Sequence, residues 1–496
     1  MKSFSAARRF CTYAAALSLS CIGGLAFAAQ PVPPAPGSGL PVSQEPGSQV
    51  SGAAMLASST SANFNADSDI RVGNGISGAG ETLEDFFTAA MDYSPRLNIA
   101  QQRWNIGTAR KRAANGQLLP QINANTSISD NRQTAQGQLS AFRGERYSVQ
   151  LSQVLFNWQA FAQRSQAYLL EDQFEAEYYF EVAWLLTGVT DRYFNVLQAQ
   201  EALTSVESEL NALSRQAEQI QRMYDLRIAQ ITDLYDVQAR LAAVQSDQLD
   251  LISSLALSRE ALHAVTGLSV GSLYQLNDSV NIPALENGIN EWVTRARANN
   301  QQIQAREFAL QAADKHISER RGAYMPRVSL IVQQQRSNLG FDNVPINRTD
   351  SGYVGIDVSV PLFAGGSNRA GVSEAQSQQN LVESELRQVE LEVDERTRTA
   401  YLQVKSYETR TDSARKLVEA TQLSATARQR GFELGVVSSV DVLNALRDQY
   451  QAERELQETR YEHIKTRLLL RREAGTLSAE DLLDVGSWLI PSQQAQ

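Results

Sequence analysis

Val354-Gly355-Ile356-Asp357-Val358-Ser359-Val360-Pro361-Leu362 is the stretch on which the fold turns. Apolar residues hold every second position, and Gly, Asp, Ser and Pro fill the gaps. Period two predicts a strand with one apolar and one polar face. Three other segments share it. Ile122, Ala124, Thr126 and Ile128 alternate with Asn123, Asn125, Ser127 and Ser129; Tyr147, Val149, Leu151 and Leu155 form a second set broken by Gln153; Val328, Leu330 and Val332 form a third. No amphipathic element is free to cover these apolar faces, whereas the polar faces suit a watery lumen. Four strands cannot close a barrel, and an open edge in lipid leaves backbone groups unpaired at several kcal/mol each. If the strands lie in a membrane, several protomers must share one barrel. Tyr147, Phe156, Trp158, Tyr324, Tyr353 and Phe363 stand near strand ends. As a set they are placed like an interfacial aromatic girdle; singly, each is more simply explained by packing.

Outward from the strands the period changes. No proline occurs from Gln121 to Asn281 or from Leu362 to Ile490. Proline costs about 3 kcal/mol inside a helix, so these stretches are free to hold very long helices. The 69 residues from Trp158 to Leu226 would span about 100 Å at 1.5 Å per residue. Leu170, Phe174, Tyr178, Val182, Leu185, Val189, Tyr193 and Val196 step along them by threes and fours. That is one apolar stripe on a polar rod, as in helices packed side by side.

The chain also repeats itself. Leu83, Phe86, Thr88 and Ala90 answer Ile289, Trp292, Thr294 and Ala296 at an offset of 206, as Leu119-Pro120 answers Met325-Pro326. Leu155-Phe156 answers Leu362-Phe363 at 207; Tyr193, Asp233 and Gly267 answer Tyr401, Asp441 and Gly475 at 208. Each half reads helix, strand, polar loop, strand, long helix, turn, helix. The expected division is a signal peptide at 1–28, a Pro/Gly/Ser-rich disordered extension at 29–80, a first repeat at 81–283, a second at 284–489 and a tail at 490–496.

The leader is expected from Lys2, Arg8 and Arg9, an apolar stretch from Tyr13 to Phe27 and the Ala26-Phe27-Ala28 cleavage pattern. Removing those three cations takes the formal net charge from −10 to −13. Both cysteines, Cys11 and Cys21, lie in the leader, so a mature chain has no disulfide. Cys21 is either a bystander or a lipid-attachment site; Ser18, where such sites prefer Leu, favours the bystander. Gly73, Gly75 and Gly78 spell GxGxxG, but no buried strand precedes them, so they read as linker. No later segment has the roughly 18 consecutive apolar residues of a membrane-crossing helix. The acidic balance and the lack of a basic stripe exclude nucleic acid as a partner.

The pattern resembles the TolC-like outer-membrane efflux family. The residues that carry the resemblance are Leu119-Pro120, Met325-Pro326, Pro361-Leu362-Phe363 with Gly365-Gly366, Ile231-Thr232-Asp233, Gly435 with Val440-Asp441-Val442-Leu443, and the duplication itself. It spans Glu81 to Leu489. The resemblance implies a fold that is mainly α with membrane β-strands: a duplicated strand-helix repeat forming a trimeric 12-stranded β-barrel, continued by a long α-helical barrel across the periplasm. It implies a homotrimer in the outer membrane and its lipid, serving as the exit duct of a tripartite export system. A periplasmic adaptor and an inner-membrane ABC or RND-type pump would dock at the helical tips, and drugs or type I secreted proteins would leave unchanged. Pro120, Pro326, Pro361, Gly365 and Gly366 would be the strand-helix junctions.

The same resemblance places a gated entrance at the turns before Asp233 and Asp441. Three copies of Asp441 around a narrow pore would favour cations. Helix capping is the simpler account of Asp233 and Asp441, and both roles are compatible. Asn444 stands where a second Asp ring can occur; Phe432 and Val437 stand where a Tyr and an Arg can latch the tips. Arg227 occupies in the first turn the place of Gly435 in the second. The expectation is that Arg227 supplies the missing cation and pairs with Asp233 or Asp441.

A catalytic reading finds no support. There is no HExxH, GxSxG or P-loop, and His263, His316 and His463 are isolated on predicted helices. No cofactor or metal is expected. The alternative is a soluble periplasmic coiled-coil adaptor without a pore; the paired amphipathic strands speak against it.

Overall fold

The computed structural model describes residues 82–135, 138–280, 282–340 and 343–491. The expected leader and Pro-rich extension, with Cys21 and the GxGxxG glycines, lie outside the described residues.

The chain opens with helices α1 (Leu83–Tyr93) and α2 (Pro95–Gly116) and rises into strands β1 (Gln121–Ala135) and β2 (Gln138–Asn157). It returns along α3 (Trp158–Asp225) and turns back through α4 (Ile231–Thr266). After the short strand β3 (Gln275–Leu276), the plan recurs as α5 (Ile289–Asn299), α6 (Gln301–Gly322), β4 (Arg327–Leu339), β5 (Pro345–Ser359), α7 (Ser367–Glu433) and α8 (Ser439–Glu473). Helix α9 (Ala479–Ser487) and strand β6 (Leu489–Ile490) follow. Starts of α1, α2 and β1 recur 206 residues later; the ends of α3 and the starts of α4 recur at 208.

Local chemistry sets the boundaries. Ser94 breaks the first helical segment in two: its backbone is extended, its side chain accepts from Leu97 N, and Pro95 takes the first helical position. Asn300 does the same in the second half, accepting from Gln302 N at 2.9 Å and donating to Glu473 O at 2.8 Å. Asn157 ends β2 and caps α3 by accepting from Ala160 N at 3.3 Å. Pro120 and Pro326 immediately precede β1 and β4, and Pro361 lies just past β5. Gly365 and Gly366, at φ +58° and +85°, then swing the chain into α7, with Gly366 at its N-cap.

The four long strands form one antiparallel sheet in the order β1-β2-β4-β5, leaving β1 and β5 as edges. Its register aligns the alternations. Ile122 opposes Leu151, Leu151 opposes Val332, and Val332 opposes Val354; Asn123, Gln150, Gln333 and Tyr353 line up on the other face. One face is therefore apolar across all four strands and the other polar. On β2 the apolar band runs from Phe156, opposite Val328, to Tyr147, opposite Arg336. With the bulge between Val154 and Phe156, this is eight ladder steps on β4, from Val328 to Arg336; at about 3.3 Å each they are roughly 26 Å along the strand, or about 20 Å upright at a 40° tilt, close to a membrane-barrel band. Tyr147 and Phe156 thus sit at its borders as a girdle requires. Tyr353 corrects that expectation: it shares the polar face, and its ring lies over Gly355, where an added Cβ would stand 2.1 Å from the tyrosine hydroxyl.

The helices α3 and α7, 68 and 67 residues long, are each about 100 Å. The main apolar core lies midway along α3, where Phe86, Tyr193, Phe194, Leu262 and Tyr461 are wholly buried, and a second cluster gathers Val393, Ala400 and Val404 of α7. The strand pair β3–β6 and helix α9 complete this level, and two-residue strands carry no periodic signal to read in advance. The duplicated tyrosines have parallel tasks there: Tyr193 donates to Tyr274 O at 3.1 Å and Tyr401 to Asn287 O at 3.5 Å.

Candidate functional site at the helical tips

The turns Leu226–Gln230 and Leu434–Ser438 close the two helical hairpins. Each long helix ends in a residue with left-handed backbone, Arg227 at φ +60° and Gly435 at φ +74°. The hydrogen bonds are those of a Schellman cap. Ile228 N reaches Met223 O at 2.8 Å and Arg227 N reaches Tyr224 O at 2.8 Å; Val436 N reaches Gly431 O and Gly435 N reaches Phe432 O, both at 2.9 Å. Arg227 is thus shaped by the turn, in a conformation that costs a non-glycine residue about 1–2 kcal/mol.

The expected pairing of Arg227 is not found. Among the described residues Arg227 makes no ion pair. Asp233 instead accepts from the Ser439 hydroxyl at 2.7 Å, joining the two hairpins, and from Gln230 N at 3.2 Å. Asp441 accepts from the Ser438 hydroxyl at 2.6 Å and faces Arg428 at 3.7 Å. Both aspartates stand at the third helical position, with Gln230 and Ser438 as the N-caps. The Ser438 hydroxyl above all holds the exposed Asp441 carboxyl below the usual carboxylate range; burial opposes it, and the Ser438 backbone and Arg428 add to the lowering. It is therefore anionic at neutral pH, and the N-terminal end of α8 favours that charge. Asn444 is exposed one helical turn beyond Asp441.

Apolar packing stands where a latch of hydrogen bonds could. Phe432 packs against the cluster of Leu213, Ile220, Leu234, Val237 and Leu443, which joins α3, α4 and α8. Val437 covers Gly431, where an added Cβ would lie 2.5 Å from a valine methyl. The turn itself leaves Leu226, Ile228, Leu434 and Val436 between 67% and 79% exposed, an apolar surface at both tips.

Sequence reasoning missed a charged clamp farther up. Glu209 on α3 is 2% exposed and receives Arg240 of α4 at 2.9 Å and Arg454 of α8 at 3.1 Å. Tyr450 donates to Ser208 O at 3.3 Å beside it. The signal was present: Val206, Leu213 and Ile220 recur every seven residues, and Glu209 falls within that buried stripe. Gly431 was missed for lack of any signal, since only the fold of the turn brings Val437 over it.

A long helical hairpin set on a lipid-compatible sheet defines an outer-membrane exit channel. The chain belongs to the outer membrane efflux protein family, whose model matches residues 88–268 and 292–476. It is 28% identical over 423 residues to the outer membrane protein TolC of Vibrio cholerae, covering 82% of this chain and 94% of that protein. It is 27% identical to the alkaline protease secretion protein AprF of Pseudomonas aeruginosa, covering 81% and 85%. Among solved structures, the CmeC outer membrane channel of Campylobacter jejuni superposes with a TM-score of 0.70 at 14% identity, covering 84% of this chain and 91% of that one. The protein is accordingly an outer-membrane channel reaching into the periplasm. The family is one of channels rather than of catalysts, and the adaptor alternative is not favoured.

Proposed function

We propose that three copies of the chain close one barrel and form the gated exit duct of a tripartite or type I export system. The observation that carries this reading is the unclosed sheet: β1 and β5, both 15 residues long, are free edges of an otherwise paired, apolar-faced layer. Unpaired edges in lipid cost several kcal/mol per group. Because each copy contributes four alternating strands, β5 of one copy meets β1 of the next antiparallel, and three copies close twelve strands. Head-to-tail contacts of this kind close into rings. The residues around Pro120, Pro326, Pro361, Gly365 and Gly366 then mark where barrel passes to helices.

The entrance lies at the helical tips. Asp441 rings the pore with negative charge, and Asn444 in place of a second carboxylate moderates it. Phe432, Val437 and Gly435 shape the inner hairpin, and Asp233 ties it to the outer one through Ser439. The exposed Leu226, Ile228, Leu434 and Val436 offer a periplasmic adaptor an apolar docking surface, behind which an inner-membrane ABC or RND-type pump delivers cargo. Relatives are named for protease secretion and for efflux, so proteins and drugs are both candidate cargoes.

Native mass and planar-bilayer conductance of the detergent-solubilised protein test this reading together. A trimeric mass with small, cation-selective conductance is expected. A monomer without conductance would overturn it.

A further inference from the structure

The register of the sheet also sorts its charges. Beyond the apolar band, Arg143 and Glu145 of β2, Arg336 of β4, and Arg348 and Asp350 of β5 share the parity of Tyr147, Val332 and Val354. Ion pairs across and along the strands fit this common face: Arg336–Asp350 at 2.6 Å, Arg348–Glu145 at 3.2 Å and Arg143–Glu145 at 3.6 Å. Asp130 and Arg132 of β1 continue the row. Over the same rungs the opposite face carries one charge among the described residues, Arg146. The charges therefore collect on the side that is apolar below, which a water-filled lumen does not explain.

Their height is informative. Arg336 lies directly across from Tyr147, at the border of the apolar band. Arg348 lies two residues beyond Asp350, about 7 Å along the strand, and Arg143 four residues beyond Tyr147, about 13 Å. With a barrel tilt near 40° these become roughly 5 and 10 Å above the border. A bilayer's polar layer extends roughly 5–8 Å beyond its hydrocarbon on each side. The carboxylates do not exhaust the guanidinium donors: Arg336 engages Asp350 with two of its nitrogens, Arg348 engages Glu145 with one, and the arginine side chains are 57–64% exposed.

We propose that this arginine row is a docking surface for phosphomonoester-bearing lipid headgroups of the surrounding outer leaflet. The planar guanidinium fork matches phosphate oxygens better than any other side chain, and the row sits at headgroup depth beside a lipid-facing band. The inference rests on the reading of the sheet as barrel wall.

The test uses the purified full-length protein in detergent, with retained lipid counted by native mass spectrometry. Bisphosphorylated lipid A is offered against the same lipid stripped of phosphate. At least tenfold preferential retention of the phosphorylated form is expected, resistant to millimolar inorganic phosphate. The charge-balanced variant Arg336→Gln, Asp350→Asn, Arg348→Gln, Glu145→Gln should lose the preference while Arg336→Lys with Arg348→Lys keeps most of it. Equal retention of the two lipids would overturn the proposal, as would full displacement by inorganic phosphate, which would mark a free-anion site. Conductance is recorded on the same samples. A conducting trimer without lipid preference removes only this inference, whereas a non-conducting monomer removes the exit-duct reading beneath it.

Discussion

Arg227 and Gly435 are the same turn position twice, one with a side chain and one without. An added Cβ at Gly435 meets nothing within 4 Å, so the difference between the two is one of backbone conformation alone. Arg227→Gly should therefore stabilise its turn by about 1 kcal/mol, and Gly435→Ala should weaken the other by a similar amount. Limited proteolysis at the tips reads both, slower cleavage being expected for the first and faster for the second. Glu201 makes a different residue-scale statement. Burial between α3 and α8 pushes its carboxyl up to about 7, against a hydrogen bond from the Tyr461 hydroxyl that favours the anion. Arg460 opposes the shift and Asp278 adds to it. The native state thus holds this proton longer than the unfolded chain. The group's contribution is full below about pH 4.5 and falls as pH rises toward 7. The difference is at most about 3 kcal/mol. Thermal unfolding at pH 5 and pH 8 should show a larger loss in the wild type than in Glu201→Gln; equal losses would rule this out.

At the scale of elements, the sheet and the helical hairpins depend on different forces. The sheet's apolar face is paid for by lipid, so an arginine at Ile356 should cost about 2–4 kcal/mol and reduce membrane insertion. The same change at Asp357, one residue on and on the polar face, should leave insertion intact and alter only ion selectivity. Comparing the two in outer-membrane fractions checks the assignment of faces. The hairpins are joined by the apolar cluster around Leu213 and Leu443, by Asp233 with Ser439, and by the charged clamp of Glu209, Arg240 and Arg454. Glu209→Ala leaves two partly buried guanidinium groups without their partner, at a cost of about 2–3 kcal/mol after allowing for their exposure. Because the clamp ties α3 and α4 to α8, its loss should loosen the tips, read as raised single-channel conductance. Unchanged conductance would confine Glu209 to a role in packing.

In the exit duct proposed above, the tip and the barrel are the two ends of one lumen, about 100 Å apart along α3. If the entrance is the narrow point, neutralising one residue there should control the whole duct. Asp441→Asn should lower cation selectivity and make it less dependent on salt than in the wild type, because a repeated carboxylate acts through its local potential, which salt screens. Reversal-potential measurements across a salt gradient decide it: selectivity unchanged by the substitution would place the constriction elsewhere. The Asn already present at 444 sets the expectation that the starting selectivity is modest.

Much of this architecture was legible in the chain because periodicity is local. Val354 to Leu362 alternate whether or not any neighbour exists, and the proline-free stretch after Trp158 permits one rod of 68 residues. The duplication was equally readable, since landmarks at 206–208 residues need no coordinates. Side-chain partners could not be read this way. Arg227 looked like a latch because sequence places it at the same tip as Asp233 and Asp441, whereas the left-handed turn turns it to solvent and gives those aspartates to Ser439 and Ser438. Tyr353 looked like a girdle residue until the register set it on the polar face. Glu209 gained its meaning only from Arg240 and Arg454, 31 and 245 residues away. Periods, caps and repeats follow from short-range sterics and hydrophobicity, so the sequence determined the elements and their order; which charges meet depends on how distant helices and strands pack, and the tertiary structure alone decided that.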